Sequence, residues 1–350
     1  MRTVSNTPAA LAAAFFVAVG FSATALRGQD QPRFLDLDSG ELFAPSSRET
    51  ATPRLPQDSD YSVNRMFREL HGSFVQNAFV YQPNITLSYH NQRETSVKSD
   101  PGQFDFDQFR GEFFFPLAVD PDRFLTIGGS VNDRRYNFTS TAPVAGDEDL
   151  FRFALDLGGG WFVDDDWLLQ LNFRPGVYSD LDGTLNRRDW QWFGDFVATW
   201  RVDESVFLNF GVSRDETFDE VGVYPVLGLS WKISDEFRFD MNLPKKVEFS
   251  WLPSASWIWS AGVAVEGDEY NVRAPGTKQN YYARTQEVEV YLRGTYRLDD
   301  YFSLWGRAGS TIAGHYEWRL NANGGGPPTA NLSGTQDAAF FFEFGAGFSF

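Results

Sequence analysis

The sequence predicts an all-β chain that closes into a transmembrane, antiparallel up-and-down β-barrel of about 14 strands, with 12 as the alternative count. Three observations carry this. From about residue 79 onward apolar and polar residues alternate, the period-2 signature of a strand with unlike faces. Short acidic turns alternate with longer polar connections, as expected when strands run up and down through a bilayer. The final segment puts Phe340, Phe342, Phe344, Phe348 and Phe350 on one strand face, too apolar for water.

The alternation is clearest at Glu287 to Leu298. Val288, Val290, Leu292, Gly294, Tyr296 and Leu298 share one face, while Glu287, Glu289, Tyr291, Arg293, Thr295 and Arg297 share the other. Trp167, Leu169, Leu171 and Phe173 likewise oppose Gln170, Asn172 and Arg174. A helix would spread these apolar residues around its circumference. Aromatics make up 17% of the chain, with 35 Phe, yet mean hydropathy is only −0.34. A barrel reconciles the two, because one residue in two faces lipid and the next faces a polar lumen.

Five acidic turns recur, at residues 119–124, 163–167, 202–207, 233–237 and 298–302. Each has an apolar residue, a few acidic or small residues, then an aromatic, a composition suited to tight antiparallel connections. Longer polar connections lie between them, at 91–102, 140–149, 179–187, 273–283 and 321–336. The predicted strands are 79–90, 103–118, 123–138, 150–163, 167–179, 188–201, 205–217, 221–233, 236–243, 246–252, 257–272, 284–298, 301–319 and 338–350. All five acidic turns then fall at the end of the barrel that holds the C-terminus. The short pair 236–243 and 246–252, cut by Pro244 and Pro253, is what separates 14 from 12. Two aromatic girdles are expected: Phe124, Trp161, Trp167, Trp200, Trp231, Trp257 and Phe302 near the short turns, and Tyr136, Tyr178, Trp190, Trp192, Tyr270, Tyr316 and Trp318 near the long loops.

Residues 1–25 read as a secretory signal: Arg2, an apolar run from Ala9 to Phe21, then Ala23-Thr24-Ala25 as the cleavage site. Residues 26–72, with four prolines and little alternation, read as a largely irregular periplasmic leader; residues 73–350 are the barrel domain. No later segment is apolar enough for a helical span, and an exported chain without one enters a membrane only as a closed barrel.

The chain end Glu343, Gly345, Phe348 and Phe350 resembles the C-terminal signal that assembly machinery reads on bacterial outer-membrane barrels. That resemblance implies an integral protein of a Gram-negative-type outer membrane. Its partners would be membrane lipid and lipopolysaccharide, the barrel-assembly machinery and periplasmic chaperones. The segment Val223 to Trp231, then Leu243-Pro244 and the Trp-rich strand at 257, resembles an uncharacterised family of predicted outer-membrane barrels over about residues 190–350. That family has no established activity and transfers no functional residues.

The chain has no cysteine, which excludes disulfides, thiolate metal sites and a Cys nucleophile. A net charge of −17 disfavours nucleic acid. Asp164-Asp165-Asp166 and Asp299-Asp300 read as solvated turns, and Gly158-Gly159-Gly160 lacks the Lys-Ser/Thr of a phosphate loop; no metal or cofactor is expected. Function would lie in the lumen. Parity assigns Arg152, Arg174, Asp195, Arg238, Asp240, Glu287, Glu289, Arg293, Arg297, Arg307, Glu317 and Glu343 to its wall. A passive or weakly selective channel for small solutes is the first expectation, since 12–14 strands exceed the 8-strand class that side chains fill. The alternatives are a non-conducting structural or surface-interaction barrel, or a rim hydrolase using His315 with Glu317. Ser310 has the wrong parity to serve that histidine, and no catalytic residue is assigned. A barrel of this size is expected to be a monomer.

Overall fold

The computed structural model describes residues 84–349 apart from 97, 99–102, 121–122, 139–147, 165, 183, 204, 219–220, 274–279, 300 and 321–331. The signal segment 1–25, the leader 26–72, Phe79 and Phe350 lie outside the described residues. The strands are β1 (Asn84–Ser96), β2 (Gln103–Asp120), β3 (Arg123–Phe138), β4 (Glu148–Phe162), β5 (Trp167–Ser179), β6 (Trp190–Arg201), β7 (Val206–Asp215) and β8 (Gly222–Lys232). They continue as β9 (Phe237–Leu243), β10 (Lys246–Trp251), β11 (Trp257–Arg273), β12 (Asn280–Arg297), β13 (Phe302–Leu320), β14 (Leu332–Gln336) and β15 (Ala339–Ser349).

From β1 to β13 each strand pairs antiparallel with the next in the chain, β14 pairs with β13, and β15 pairs with both β13 and β1, so the sheet closes on itself. Asn84 lies opposite Ser349 and Tyr89 opposite Phe344 in the closing seam. β14 runs beside the upper part of β13, opposite residues 314–318, and β15 beside residues 302–311. The two are one barrel strand interrupted at Asp337–Ala338, giving 14 positions around the ring. The pair β9–β10 is paired on both sides, so the 12-strand alternative does not hold. Closure pairs the first strand with the last, which removes the two free edges that an open sheet would present.

The short turns explain the acidic repeat. One oxygen of Asp164 accepts the backbone N–H groups of Asp166 and Trp167, both at 2.9 Å. Asp203 does the same for Ser205 and Val206, and Asp299 for Tyr301 and Phe302. Ser234 replaces the acid in the fourth turn, accepting from Glu236 and Phe237. A short polar side chain caps the N–H groups that a tight turn leaves unpaired. The Ser205 hydroxyl and its backbone N–H hold the Asp203 carboxyl below the usual carboxylate range.

The outer face follows the sequence reading over the apolar band. Phe340, Phe344 and Phe348 are exposed on β15, as are Leu171 and Phe173 on β5 and Val290 and Leu292 on β12. Trp161, Trp200, Trp231 and Trp257 are exposed near the short turns, and Trp190 and Trp192 near the opposite rim. Four tyrosines depart from the expected girdle. Tyr136, Tyr178, Tyr270 and Tyr316 are fully buried, pointing inward into one apolar cluster with Phe104, Phe106, Leu150, Phe193, Val272 and Ala283. Phe124 is also inward, tilted against Phe162, and Gly160 makes room for it: a Cβ there would sit 2.2 Å from the Phe124 ring.

β-Bulges cause a second departure. The register of β12 with β13 shifts between the pairs Val288–Ala313 and Glu289–Thr311, which leaves Ile312 unpaired. An extra residue reverses the side-chain parity of everything beyond it. Tyr316 is thereby turned inward, while His315 and Glu317 take the outer face, opposite Gln286 and Arg284. β1 carries a comparable shift between Gln92 and Thr95, beside the break at Asp337–Ala338. Two expected loops are shorter than predicted: β1 continues to Ser96, β11 to Arg273, and β12 begins at Asn280.

Candidate functional site: the lumen

Three layers stack inside the barrel. At the short-turn end lies a polar cavity of about 330 Å³, walled by Thr86, Ser88, Ser260, Thr295, Ser303 and Gly347, with Arg293, Arg297 and Lys246 among them. It reaches to mid-barrel, where Arg110, Arg307, Glu266 and Glu343 form its roof. The second layer is this belt of charge. Arg307 donates to Glu343 at 2.6 Å and to Glu266 at 3.1 Å, and lies 3.1 Å from Glu289. Arg110 reaches Glu266 across the lumen at 3.4 Å, and Arg152 donates to Asp268 at 2.8 Å. These bonds join β2 and β4 to β11, so the belt spans the barrel rather than lining it.

The third layer is the aromatic cluster. Arg134 marks its lower boundary. It is buried, donates to Gln108 at 3.0 Å and to Tyr136 and Thr285 at 3.1 Å each, and stands over the Phe106 ring at 4.6 Å. A buried guanidinium survives only with such partners. His90 lies beside it, between Phe106 and Phe341 at ring distances of 5.3 and 5.1 Å, with Nδ1 3.9 Å from Glu343.

The upper part of the barrel is narrow as well as filled. Asn271 of β11 pairs with Ser179 of β5, although five strands separate them in the ring. Asp189 locks this seam. It is fully buried and accepts from the Asn271 amide at 2.7 Å, the Arg273 guanidinium at 2.9 Å, the Ser179 hydroxyl at 3.1 Å and the Asn186 N–H at 2.5 Å.

The structure places the sequence-assigned residues as follows. Arg152, Glu289, Arg307 and Glu343 sit in the charged belt, and Arg174 pairs with Asp156 at 3.3 Å beside it. Arg293 and Arg297 face the polar cavity, with Arg293 over the Trp305 ring at 4.4 Å. Glu287 is buried under the aromatic layer. Asp195 accepts from Asn172 at 2.9 Å. Arg238 and Asp240 share the inner face of β9, Arg238 buried. Glu317 is the exception: it lies on the outer face, 3.5 Å from Arg284, which also bonds Glu269 at 2.7 Å. His315 is on that face too, so neither lines the lumen. Ser310 lies before the bulge and is on the outer face as its parity predicts, so the bulge brings His315 and Glu317 to the face of Ser310, whose hydroxyl donates to the Ala339 carbonyl at 3.0 Å. Gly345 and Phe348 of the terminal segment lie in β15, at the seam with β1.

Sequence reasoning missed Arg110, Arg134, Glu266, Asp268 and His90. Arg110 has the parity of Phe104 and Phe106, so hydrophobicity made its face look like the lipid side. Arg134 lies in Asp133-Arg134-Arg135, which has no alternation to read. In the upper barrel the inner face is aromatic and the outer face polar, the reverse of the lower barrel. A change of sign along one strand was the available signal.

No curated protein sequence matches the chain. Residues 148–321 match the family model "Domain of unknown function (DUF6268)". The matched stretch holds β4 to β13, including the β9–β10 pair and most of the charged belt. Among solved structures, an outer membrane channel from Pseudomonas putida F1 is 8% identical, over 77% of this chain and 96% of that one, with a TM-score of 0.42. A Pseudomonas aeruginosa FadL homologue is 9% identical, over 77% and 90%, with a TM-score of 0.38. The P. putida toluene transporter TodX is 8% identical, over 77% and 90%, with a TM-score of 0.38.

Proposed function

We propose that this chain is a monomeric, integral protein of a bacterial outer membrane that passes small solutes through its lumen, with a weak preference for anions. The exposed aromatic face of a closed sheet supports the membrane setting, since water would not tolerate it and lipid requires it. Lipid, lipopolysaccharide, periplasmic chaperones and the barrel-assembly machinery are its proposed partners, the last through Glu343, Gly345, Phe348 and Phe350.

The observation that carries the solute path is the polar cavity of about 330 Å³. Its walls hold five cationic side chains, Arg110, Lys246, Arg293, Arg297 and Arg307, against three carboxylates, Glu112, Glu266 and Glu343. That excess of positive charge stands inside a chain of net charge −17, and charge on a narrow wall sets which ions enter. The packed aromatic layer above favours a second reading, a barrel that holds a surface and conducts nothing.

Currents across a planar bilayer decide between them. Purified, folded protein is expected to give small discrete steps whose reversal potential in a KCl gradient favours chloride. Replacing Arg293 and Arg297 together by Glu is expected to move that potential toward potassium. An absence of steps supports the non-conducting reading.

A further inference from the structure

Solute entering the polar cavity meets the aromatic layer directly above the charged belt. We propose that its way out is sideways, through a polar portal in the barrel wall above the β9–β10 hairpin; this rests on the channel reading. Four observations on different elements converge there.

The wall is low at that point. Pairing of β10 with β11 begins at Lys246 opposite Ala264, and the tip of the hairpin is fixed by the Val265 N–H donating to the Lys245 carbonyl at 2.7 Å. Above that bond, residues 266–268 of β11 have no β10 neighbour. The space is bounded instead by the end of β7. Gly267 packs against the turn that follows β7, where a Cβ would lie 2.6 Å from the Thr217 carbonyl oxygen.

A second cavity, of about 220 Å³, occupies this gap. Arg110 and Glu266 line both it and the larger one, so their ion pair of 3.4 Å, with Arg307 also on Glu266 at 3.1 Å, stands at the boundary between the two. An ion pair between side chains is a gate that rotamer changes can open, whereas a strand is not.

The rim is charged. Lys245 on the hairpin tip bonds Asp215 at the end of β7, and Tyr224 donates to the same carboxylate. Arg152 and Arg174 reach the cavity from the far wall. Such groups are out of place against lipid tails, and the outer face shows that the gap lies above them. Val265 is level with Val288 on β12, and the next outward side chains above are Gln286 and Arg284. The portal therefore opens at the outer interface, beneath the sealed aromatic layer.

The chain has no native cysteine, so an introduced one is a unique target. Thr217→Cys and Lys245→Cys place a thiol in the portal; Ala283→Cys places one in the aromatic layer. Each is checked for heat-modifiable gel mobility, then recorded in a bilayer before and after 2-sulfonatoethyl methanethiosulfonate. The expected result is a fall in single-channel current of threefold or more for both portal variants and no change for Ala283→Cys. Current that persists at both portal thiols, or that is blocked at Ala283→Cys instead, overturns the portal and leaves the channel standing. A protein that gives no current before the reagent overturns the channel reading, and the portal with it.

Discussion

Asp189 shows how much of this lumen depends on single polar residues. Its carboxylate gathers four donors from β5, the connection after it and β11, and it has no access to solvent. Asp189→Ala takes the acceptor from the Asn271 amide and one of several from the Arg273 guanidinium, which keeps the Asp182 and Thr184 carbonyls and Asp180, a loss of about 1–3 kcal/mol. A urea titration in lipid vesicles is expected to show the midpoint falling accordingly, with Asp189→Asn intermediate; an unchanged midpoint would mean that the seam is not held this way. Nothing in the sequence marks Asp189, because Asn271 and Arg273 lie more than eighty positions away and no local pattern records them. Glu317 teaches the converse. Its parity was counted correctly along an ideal strand, and one unpaired residue at Ile312 reversed the answer. Replacing Glu317 by Gln is expected to leave ion selectivity unchanged, whereas Glu343→Gln, in the belt beneath Arg307, is expected to shift the reversal potential toward chloride.

At the scale of elements, strands and short turns were largely legible. The apolar outer face is set on each strand independently of its partners, so alternation can be read one strand at a time. The acidic turns were legible for a similar reason, since an Asp that caps its own turn acts within three residues. Bulges were not, because an extra residue is defined only against the partner strand. The bulge at Ile312 is nonetheless the device that sends Tyr316 into the aromatic layer. Deleting Ile312 removes the one unpaired residue and leaves Tyr316 inward, with His315 and Glu317 outward, in simple alternation on the same β12 partners. The deletion variant is expected to keep the heat-modifiable gel mobility of the parent; a loss of that mobility would contradict the role given to the bulge.

For the whole molecule, the closed sheet follows from alternation along each strand and the lumen from contacts across the barrel. That is why a closed barrel could be predicted from one sequence while its interior could not. An inward position tolerates an aromatic in the upper layer, an ion pair in the belt, or a hydroxyl in the cavity, and the choice depends on what reaches it from the far wall. The pinch between β5 and β11 lies above the half-height β9–β10 hairpin: the barrel narrows beyond the point where its wall is lowest. Its interior is then a polar cavity toward the short-turn end, with aromatics packed toward the other. The most direct test is the ionic current through purified protein in a planar bilayer, recorded in a KCl gradient. The expected result is small, discrete steps with a reversal potential on the chloride side. Folded, heat-modifiable protein that inserts and carries no current would contradict the proposed function.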